Sequence, residues 1–190
     1  MHMICTSTML ISLTSVWKYY SHCLRGDITV VIGSDNRSEG ERINVKTSIQ
    51  HPKYNENTDE FDIGLLFLDR PTAYDDIDFP ILNKDNNYPA AGRTAHAMGW
   101  GDIIAGEAQQ TSDTLMITDL EVISNQQCKS MTKQKDGQAV SYNDWIYADM
   151  LCTFTEGQDA CQGDSGGPLI VRGEVFENYP EHDTLVGIVR

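Results

Sequence analysis

Hydrophobic and polar positions alternate along parts of this chain, as they do in strands that bury one face. The clearest alternation places polar residues between Ile43, Val45, Thr47 and Ile49. Side chains on a strand point to opposite faces in turn, so this period of two predicts a half-buried strand. The segment Met9-Leu10-Ile11-Ser12 is interpreted as a second strand.

Two further stretches break the strand pattern. Ser124-Asn125-Gln126-Gln127 has the spacing of a capping box, which predicts a short helix that carries Cys128. Residues 80–92 are polar and rich in Asn, Asp, Pro and Gly, which favours a connection between two units. These patterns together predict an all-β chain.

Length and charge narrow the classes of function. The chain has 190 residues, a length that suits one all-β unit or two small barrels. Its net charge of −14 argues against nucleic acid as a partner, because nucleic-acid binding needs a basic face. The negative charge is compatible both with simple solubility and with attraction of cationic peptides.

No membrane partner is predicted. Ile63–Leu68, the longest apolar run near the core signals, is far too short to cross a bilayer. Residues 1–17 lack a basic beginning and a cleavage site of small residues, so they are interpreted as a core strand rather than a signal peptide.

The five cysteines are an odd number, which suggests that one of them lacks its partner. The sequence has no C-x-x-C pair, so zinc and thioredoxin-like chemistry have no support. Neither a metal nor a cofactor is predicted.

The strongest chemical signal is the hexamer Gly163-Asp164-Ser165-Gly166-Gly167-Pro168. Ser165 lies among glycines, which let a substrate come close and permit unusual backbone angles. The hexamer fits the nucleophile elbow of α/β hydrolases, but that elbow needs a helix directly after the serine. Two glycines and a proline are poor helix starters, and His182 follows too soon for that fold, so this interpretation is rejected.

The hexamer resembles the active-site signature of trypsin-like serine peptidases. Their fold would be two antiparallel six-stranded Greek-key barrels. The resemblance implies one barrel half in residues 1–85, carrying the histidine and aspartate, and a second in residues 86–190, carrying the serine. Together the halves would form one peptidase domain.

Two upstream segments resemble the rest of that family's pattern. Ser21-His22-Cys23 follows a Leu-Ile-Ser strand, although Tyr20 and Ser21 stand where relatives have two small residues. Phe61-Asp62-Ile63-Gly64-Leu65-Leu66 resembles the strand that carries the family's acid. A carboxylate at the head of an apolar strand is expected to be partly desolvated.

The resemblance implies an acyl-enzyme mechanism, for which this family is the standard worked example. Ser165 would be the nucleophile, His22 the general base and Asp62 the acid that orients it. The N–H groups of Gly163 and Ser165 would form the oxyanion hole. Asp159 would be the floor of the specificity pocket and select protein or peptide substrates at Lys or Arg.

Other family features are also implied. Disulfides would join Cys5 to Cys23 and Cys128 to Cys152, which goes with secretion. Gly99-Trp100-Gly101 resembles the start of the second barrel and would have a structural role. Some relatives bind calcium in a loop that corresponds to residues 35–41, but a solvated acidic turn is expected here.

The family pattern is expected to be incomplete at both termini. No Ile-Val-Gly-Gly-like segment precedes Cys5, so Asp164 would lack the amine that it pairs with in relatives. Arg190 stands where the family has a substrate-binding serine, and Cys161 would lack its partner. Three hypotheses stay open: a serine endopeptidase, whose partners include protein inhibitors; a non-catalytic homologue that binds or inhibits proteins; and a chain that does not fold stably alone.

Overall fold

The structure is a computed structural model in which residues 4–6, 9–12, 28–75, 77, 79–104, 110–135, 138–173 and 183–190 are described. These residues form thirteen strands and one short helix, which confirms the mostly β character predicted from the alternating pattern. No helix in these ranges is both long and apolar enough to cross a membrane.

The first five strands form one antiparallel sheet in the order β1-β2-β5-β4-β3. Its strands are β1 (Ile4–Thr6), β2 (Met9–Ser12), β3 (Thr29–Ile32), β4 (Glu41–Gln50) and β5 (Gly64–Leu68). The predicted strand Met9–Ser12 is therefore confirmed. The core of this half consists of buried aliphatic side chains, namely Val30, Ile43, Leu66 and Leu68.

The predicted alternation is wrong in the second half of β4, because a bulge interrupts it. Ile43 is buried and Val45 is half-buried, as expected, but the register against β5 shifts between Val45 and Thr47. An extra residue in one strand exchanges the two faces beyond it. Ile49 is therefore 49% exposed, whereas Ser48 is half-buried.

The second sheet has six strands in the order β11-β8-β7-β12-β13-β6. These are β6 (Ile81–Leu82), β7 (Thr94–Gly99), β8 (Met116–Ile123), β11 (Cys152–Phe154), β12 (Pro168–Val171) and β13 (Thr184–Ile188). The buried core residues are Ala95, Ala97, Leu120, Val122, Leu169 and Val171. All neighbours are antiparallel except β6, which pairs in parallel with β13.

The predicted helix is present as α1 (Asn125–Ser130). The Ser124 side chain accepts a hydrogen bond from the Gln127 N–H, and the Gln127 side chain accepts one from the Ser124 N–H. Cys128 in this helix forms a disulfide with Cys152 in β11, as predicted. The following segment contains a hairpin of β9 (Thr132–Lys135) and β10 (Gln138–Ser141).

A corner formed by the turn after β3 joins the two sheets. The Asp35 carbonyl accepts hydrogen bonds from the Leu115 N–H at 2.8 Å and from the Trp100 indole N–H at 2.7 Å. Arg37 pairs with Asp113 at 2.9 Å. The two halves therefore contact each other through the turn that precedes β4.

Candidate active site

Ser165 lies in a tight turn between β11 and β12. The turn is closed by hydrogen bonds from the Asp164 N–H to the Cys161 carbonyl at 3.0 Å and from the Gly167 N–H to the Asp164 carbonyl at 2.8 Å. Gly163 and Gly166 have φ angles of 100° and 89°. Residues with a side chain rarely adopt such angles, which explains why glycines flank the serine here.

The carboxylate of Asp164 holds this turn from within. Its Oδ1 accepts a hydrogen bond from the Gly101 N–H at 2.8 Å, and its Oδ2 accepts one from the Cys161 N–H at 2.9 Å. Two backbone donors therefore stabilise the charge of Asp164. The expectation that it lacks the amine that the resemblance implies stays a prediction.

Two glycines make room for that carboxylate. A Cβ added at Gly99 would lie 2.1 Å from Asp164 Oδ1, and one at Gly101 would lie 2.6 Å from both Oδ1 and Cγ. Real Cβ atoms essentially never come this close. The sequence alone implies only a general structural role for Gly99-Trp100-Gly101. The signal it lacked was that both glycines contact the residue next to the serine.

The proposed oxyanion donors are unoccupied within the described part of the chain. None of its hydrogen bonds uses the N–H of Gly163 or of Ser165. Gly163 is exposed and Ser165 is half-buried. These two N–H groups are therefore available to a ligand at the surface of the turn.

Asp62 lies two residues before β5 and is half-buried. Burial, and then the charge of Asp59, raises the pKa of its carboxyl to about 6, while Arg190 acts in the opposite direction. The expected partial desolvation is therefore confirmed. Within the described residues no hydrogen bond to the Asp62 side chain is found, and His22, its predicted partner, lies outside them.

The end of β13 brings the Asp62 and Ser165 segments to the same region. Val189 accepts a hydrogen bond from the Gly166 N–H at 2.8 Å and donates one to the Gly167 carbonyl at 2.9 Å. The next residue, Arg190, forms an ion pair with Asp59, three positions before Asp62. Residues 189–190 therefore contact both the serine turn and the turn that carries the acid.

Asp159 lies at the edge of an open cleft of about 1000 Å³, which is also lined by Cys161 and Asp164. The residue is exposed, and its Oδ1 accepts a hydrogen bond from the Ala160 N–H at 2.8 Å. The second carboxylate oxygen is free to face a cation, although the described residues do not enclose it.

The predictions for the other three cysteines have different outcomes. Cys23 lies outside the described residues, and so does the side chain of Cys5, so their predicted disulfide stays a prediction. Cys161 is a free thiol in the described part of the chain. Burial, followed by the charges of Asp159 and Asp164, raises the pKa of this thiol.

Glu41, at the end of the acidic turn formed by residues 35–41, connects this turn to residues 70–73. Its carboxylate pairs with Arg70 and accepts hydrogen bonds from the Thr72 hydroxyl at 2.6 Å and the Ala73 N–H at 2.8 Å. These contacts lower the pKa of Glu41 to about 2, with Arg70 as the main cause. Among the described side chains, no group of three His, Cys, Asp or Glu could hold a metal ion.

Comparisons with known proteins identify the family to which this chain belongs. The Trypsin family model matches residues 21–190. Kallikrein-2 of Homo sapiens is 32% identical over 170 residues, covering 80% of this chain and 60% of the relative. Trypsin epsilon of Drosophila erecta is 32% identical over 174 residues, covering 89% of this chain and 60% of the relative.

The chain therefore belongs to the trypsin family of serine peptidases, which confirms the family predicted from the hexamer at Ser165. A third relative, Trypsin-3 of Salmo salar, is 29% identical over 170 residues. The chain spans about 60% of the length of the first curated relatives it matches.

Proposed function

We propose that this chain carries the active site of a secreted serine endopeptidase that cleaves peptide bonds after Lys or Arg. Ser165 attacks the peptide carbonyl, and His22 takes the proton of the serine and then delivers it to the leaving amine. Asp62 orients His22 and stabilises its charged form. The N–H groups of Gly163 and Ser165 stabilise the oxyanion.

The observation that carries this proposal is the conformation of the serine turn. Glycines with positive φ flank Asp164 and Ser165, and the Asp164 side chain points inward to two backbone donors. Ser165 is half-buried in the same turn, and the N–H groups of Gly163 and Ser165 have no partner among the described residues. A nucleophile and its oxyanion donors need this arrangement.

The wider architecture is proposed on the same basis. The two sheets would belong to the two six-stranded barrels of the trypsin fold, with residues 1–85 as one half and residues 86–190 as the other. Strand β6 lies before residue 86 but pairs with β13 of the second sheet. The segment that connects the two halves would therefore include a strand that belongs to the second sheet. The partners would be proteins or peptides with Lys or Arg, together with protein inhibitors.

The preference for Lys or Arg depends on Asp159. Its exposed carboxylate lies at a cleft that it shares with Cys161 and Asp164, beside the serine turn. A guanidinium or ammonium group in this cleft would pair with the free carboxylate oxygen. The net charge of −14 would favour the approach of cationic substrates.

A second candidate, a non-catalytic homologue that binds proteins, is favoured by Arg190. This side chain pairs with Asp59 at the place where the resemblance puts a substrate-binding serine. A long cation there would change how a substrate backbone lies along β13. The labelling experiment below separates the two candidates.

The test is covalent labelling of the folded chain with a fluorophosphonate probe, located by mass spectrometry. We expect labelling at Ser165 and none in a Ser165→Ala variant. Folded protein that remains unlabelled would refute the peptidase and leave the binding homologue. A separate, unlabelled sample of the same protein is given Arg-amide and Phe-amide peptides to test the specificity.

The specificity has a matched control in the same cleft. Asp159→Asn should lower kcat/KM for the Arg-amide peptide by about tenfold or more, because a charge-assisted hydrogen bond is lost. Glu156→Gln removes the same charge from an exposed residue that lines the cleft and should have little effect. Equal effects of the two variants would contradict the role of Asp159.

A further inference from the structure

An ion pair supports the turn that carries Asp62. The Arg190 guanidinium bonds the carboxylate of Asp59. The Arg190 side chain is 43% exposed and that of Asp59 is 20% exposed. Because Asp59 lies only three positions before Asp62, this cation lies beside two carboxylates.

The backbone of this turn is unusual. Asp59 and Phe61 have φ angles of 55° and 56°. Non-glycine residues seldom occupy this left-handed region, and two of them within three positions need support from their surroundings. The Phe61 N–H donates to Asp149 at 2.7 Å, and the Asp59 N–H donates to the Asn55 carbonyl at 2.7 Å. Arg190 adds a third support, at the side chain of Asp59.

The groups around Asp62 explain why a cation matters there. Asp59 lies on the same turn, and its negative charge disfavours the ionised form of Asp62. The Tyr54 hydroxyl is buried without a partner among the described residues. Burial, and then the charges of Asp62, Asp59 and Glu56, raises its pKa to about 12, so it stays protonated. Arg190 acts on Asp62 in the opposite direction to Asp59. A second cation lies at the same turn, since Lys53 Nζ is 5.6 Å from the centre of the Phe61 ring.

We propose that Arg190 is a positioning residue for Asp62. Its ion pair holds Asp59 in place and neutralises the Asp59 carboxylate, whose negative charge would otherwise disfavour ionisation of Asp62. This inference rests on the proposed function, in which Asp62 must be ionised to orient His22. It gives Arg190 a role at the acid, where the resemblance predicted only a substrate-binding position.

The experiment measures the titration of Asp62 directly. The full chain, with aspartate ¹³C-labelled at the carboxyl carbon, is titrated by NMR in a Ser165→Ala background, and the Asp62 signal is assigned with Asp62→Asn. Arg190→Gln should raise the pKa of Asp62 by about 0.5 or more, which is a threefold change in its dissociation constant. Arg190→Lys keeps the charge and should restore most of the difference.

Two further variants make the result decisive. Asp59→Asn removes the opposing carboxylate and should lower the pKa of Asp62, even if Arg190→Gln folds poorly. Arg37→Gln breaks a comparable ion pair, that with Asp113, and should leave Asp62 unchanged. The proposal is overturned if Asp62 titrates alike in the parent and in Arg190→Gln, or if Asp59→Asn does not lower its pKa.

This readout needs no catalysis, so it stays separate from the test of the proposed function. Absence of Ser165 labelling would refute the peptidase without changing the carboxyl titration. If Ser165 is labelled, Arg190→Gln should also move the acid limb of kcat/KM to higher pH, and Arg190→Lys should move it back. A merely structural role of Arg190 would lower activity equally at every pH.

Discussion

The contact between Gly101 and Asp164 can be tested by adding one methyl group. In Gly101→Ala, the new Cβ would lie 2.6 Å from Asp164 Oδ1 and Cγ and 2.8 Å from the Asp164 nitrogen, against ordinary contacts of 3.4–4 Å. The Asp164 side chain would have to move by about 1 Å to lengthen the 2.6 Å approach to an ordinary contact distance. Its 2.8 Å hydrogen bond from the Gly101 N–H would then be stretched or lost.

The size of the effect follows from two contributions. Losing a hydrogen bond to a charged group costs about 1.5–3 kcal/mol. Overpacking a filled site costs about 1–3 kcal/mol, and the two overlap because one movement relieves both. We therefore expect Gly101→Ala to lower the free energy of unfolding by about 2–4 kcal/mol. Ser165 follows Asp164 directly, so labelling of the serine should fall as well.

The assay is urea denaturation followed by tryptophan fluorescence, with Gly187→Ala as the matched control. Gly187 lies in β13, and a Cβ there would meet Leu169 at an ordinary 3.4 Å. This variant should change stability by less than about 1 kcal/mol. If the two variants were equally stable, residue 101 would not pack against the Asp164 carboxylate, and our account of the serine turn would be wrong.

Two further predictions concern stability. The pKa of Glu41 is lowered from 4.5 to about 2 in the folded chain, so its contribution is complete above pH 4.5 and is lost as the pH falls toward 2. Glu41→Gln should therefore flatten the pH dependence of the unfolding free energy in this window, and an unchanged slope would contradict the pairing with Arg70. The Cys128–Cys152 disulfide joins residues 24 positions apart, so replacing both cysteines by serine should lower the unfolding free energy by about 3 kcal/mol. Calorimetry should detect no such loss for Cys161→Ser, and a loss of the same size there would contradict the disulfide's contribution.

The sequence predicted the elements that depend on local patterns. The helix at Asn125–Ser130 followed from its capping box, and the strand at Met9–Ser12 followed from its composition. The alternation after Ile43 failed because a bulge depends on the partner strand, which is not encoded in the spacing of one strand. The hairpin within residues 132–141 is not predicted from the sequence because this segment lacks a strong hydrophobic period.

The features of the candidate site also differ in whether a local sequence pattern predicts them. Ser165, Asp62 and Asp159 are predicted from the sequence because they lie in segments that resemble the family's local motifs. The backbone donors to Asp164 and the ion pair between Arg190 and Asp59 join residues far apart in the chain. No local pattern contains such a pair, so these contacts could be found only from the folded chain.

The contacts that align the candidate site also constrain how the protein folds. Arg190 and Asp59 are 131 positions apart, Phe61 and Asp149 are 88 apart, and Arg37 and Asp113 are 76 apart. Contacts that close such long loops form slowly, because the loop entropy must be lost before the contacts stabilise the chain. Strand pairs that close shorter loops, such as β3 with β4 and β7 with β8, can form before these contacts exist. We therefore expect the ion pair between Arg190 and Asp59, which closes the longest of these loops, to be among the last contacts that the folding chain forms.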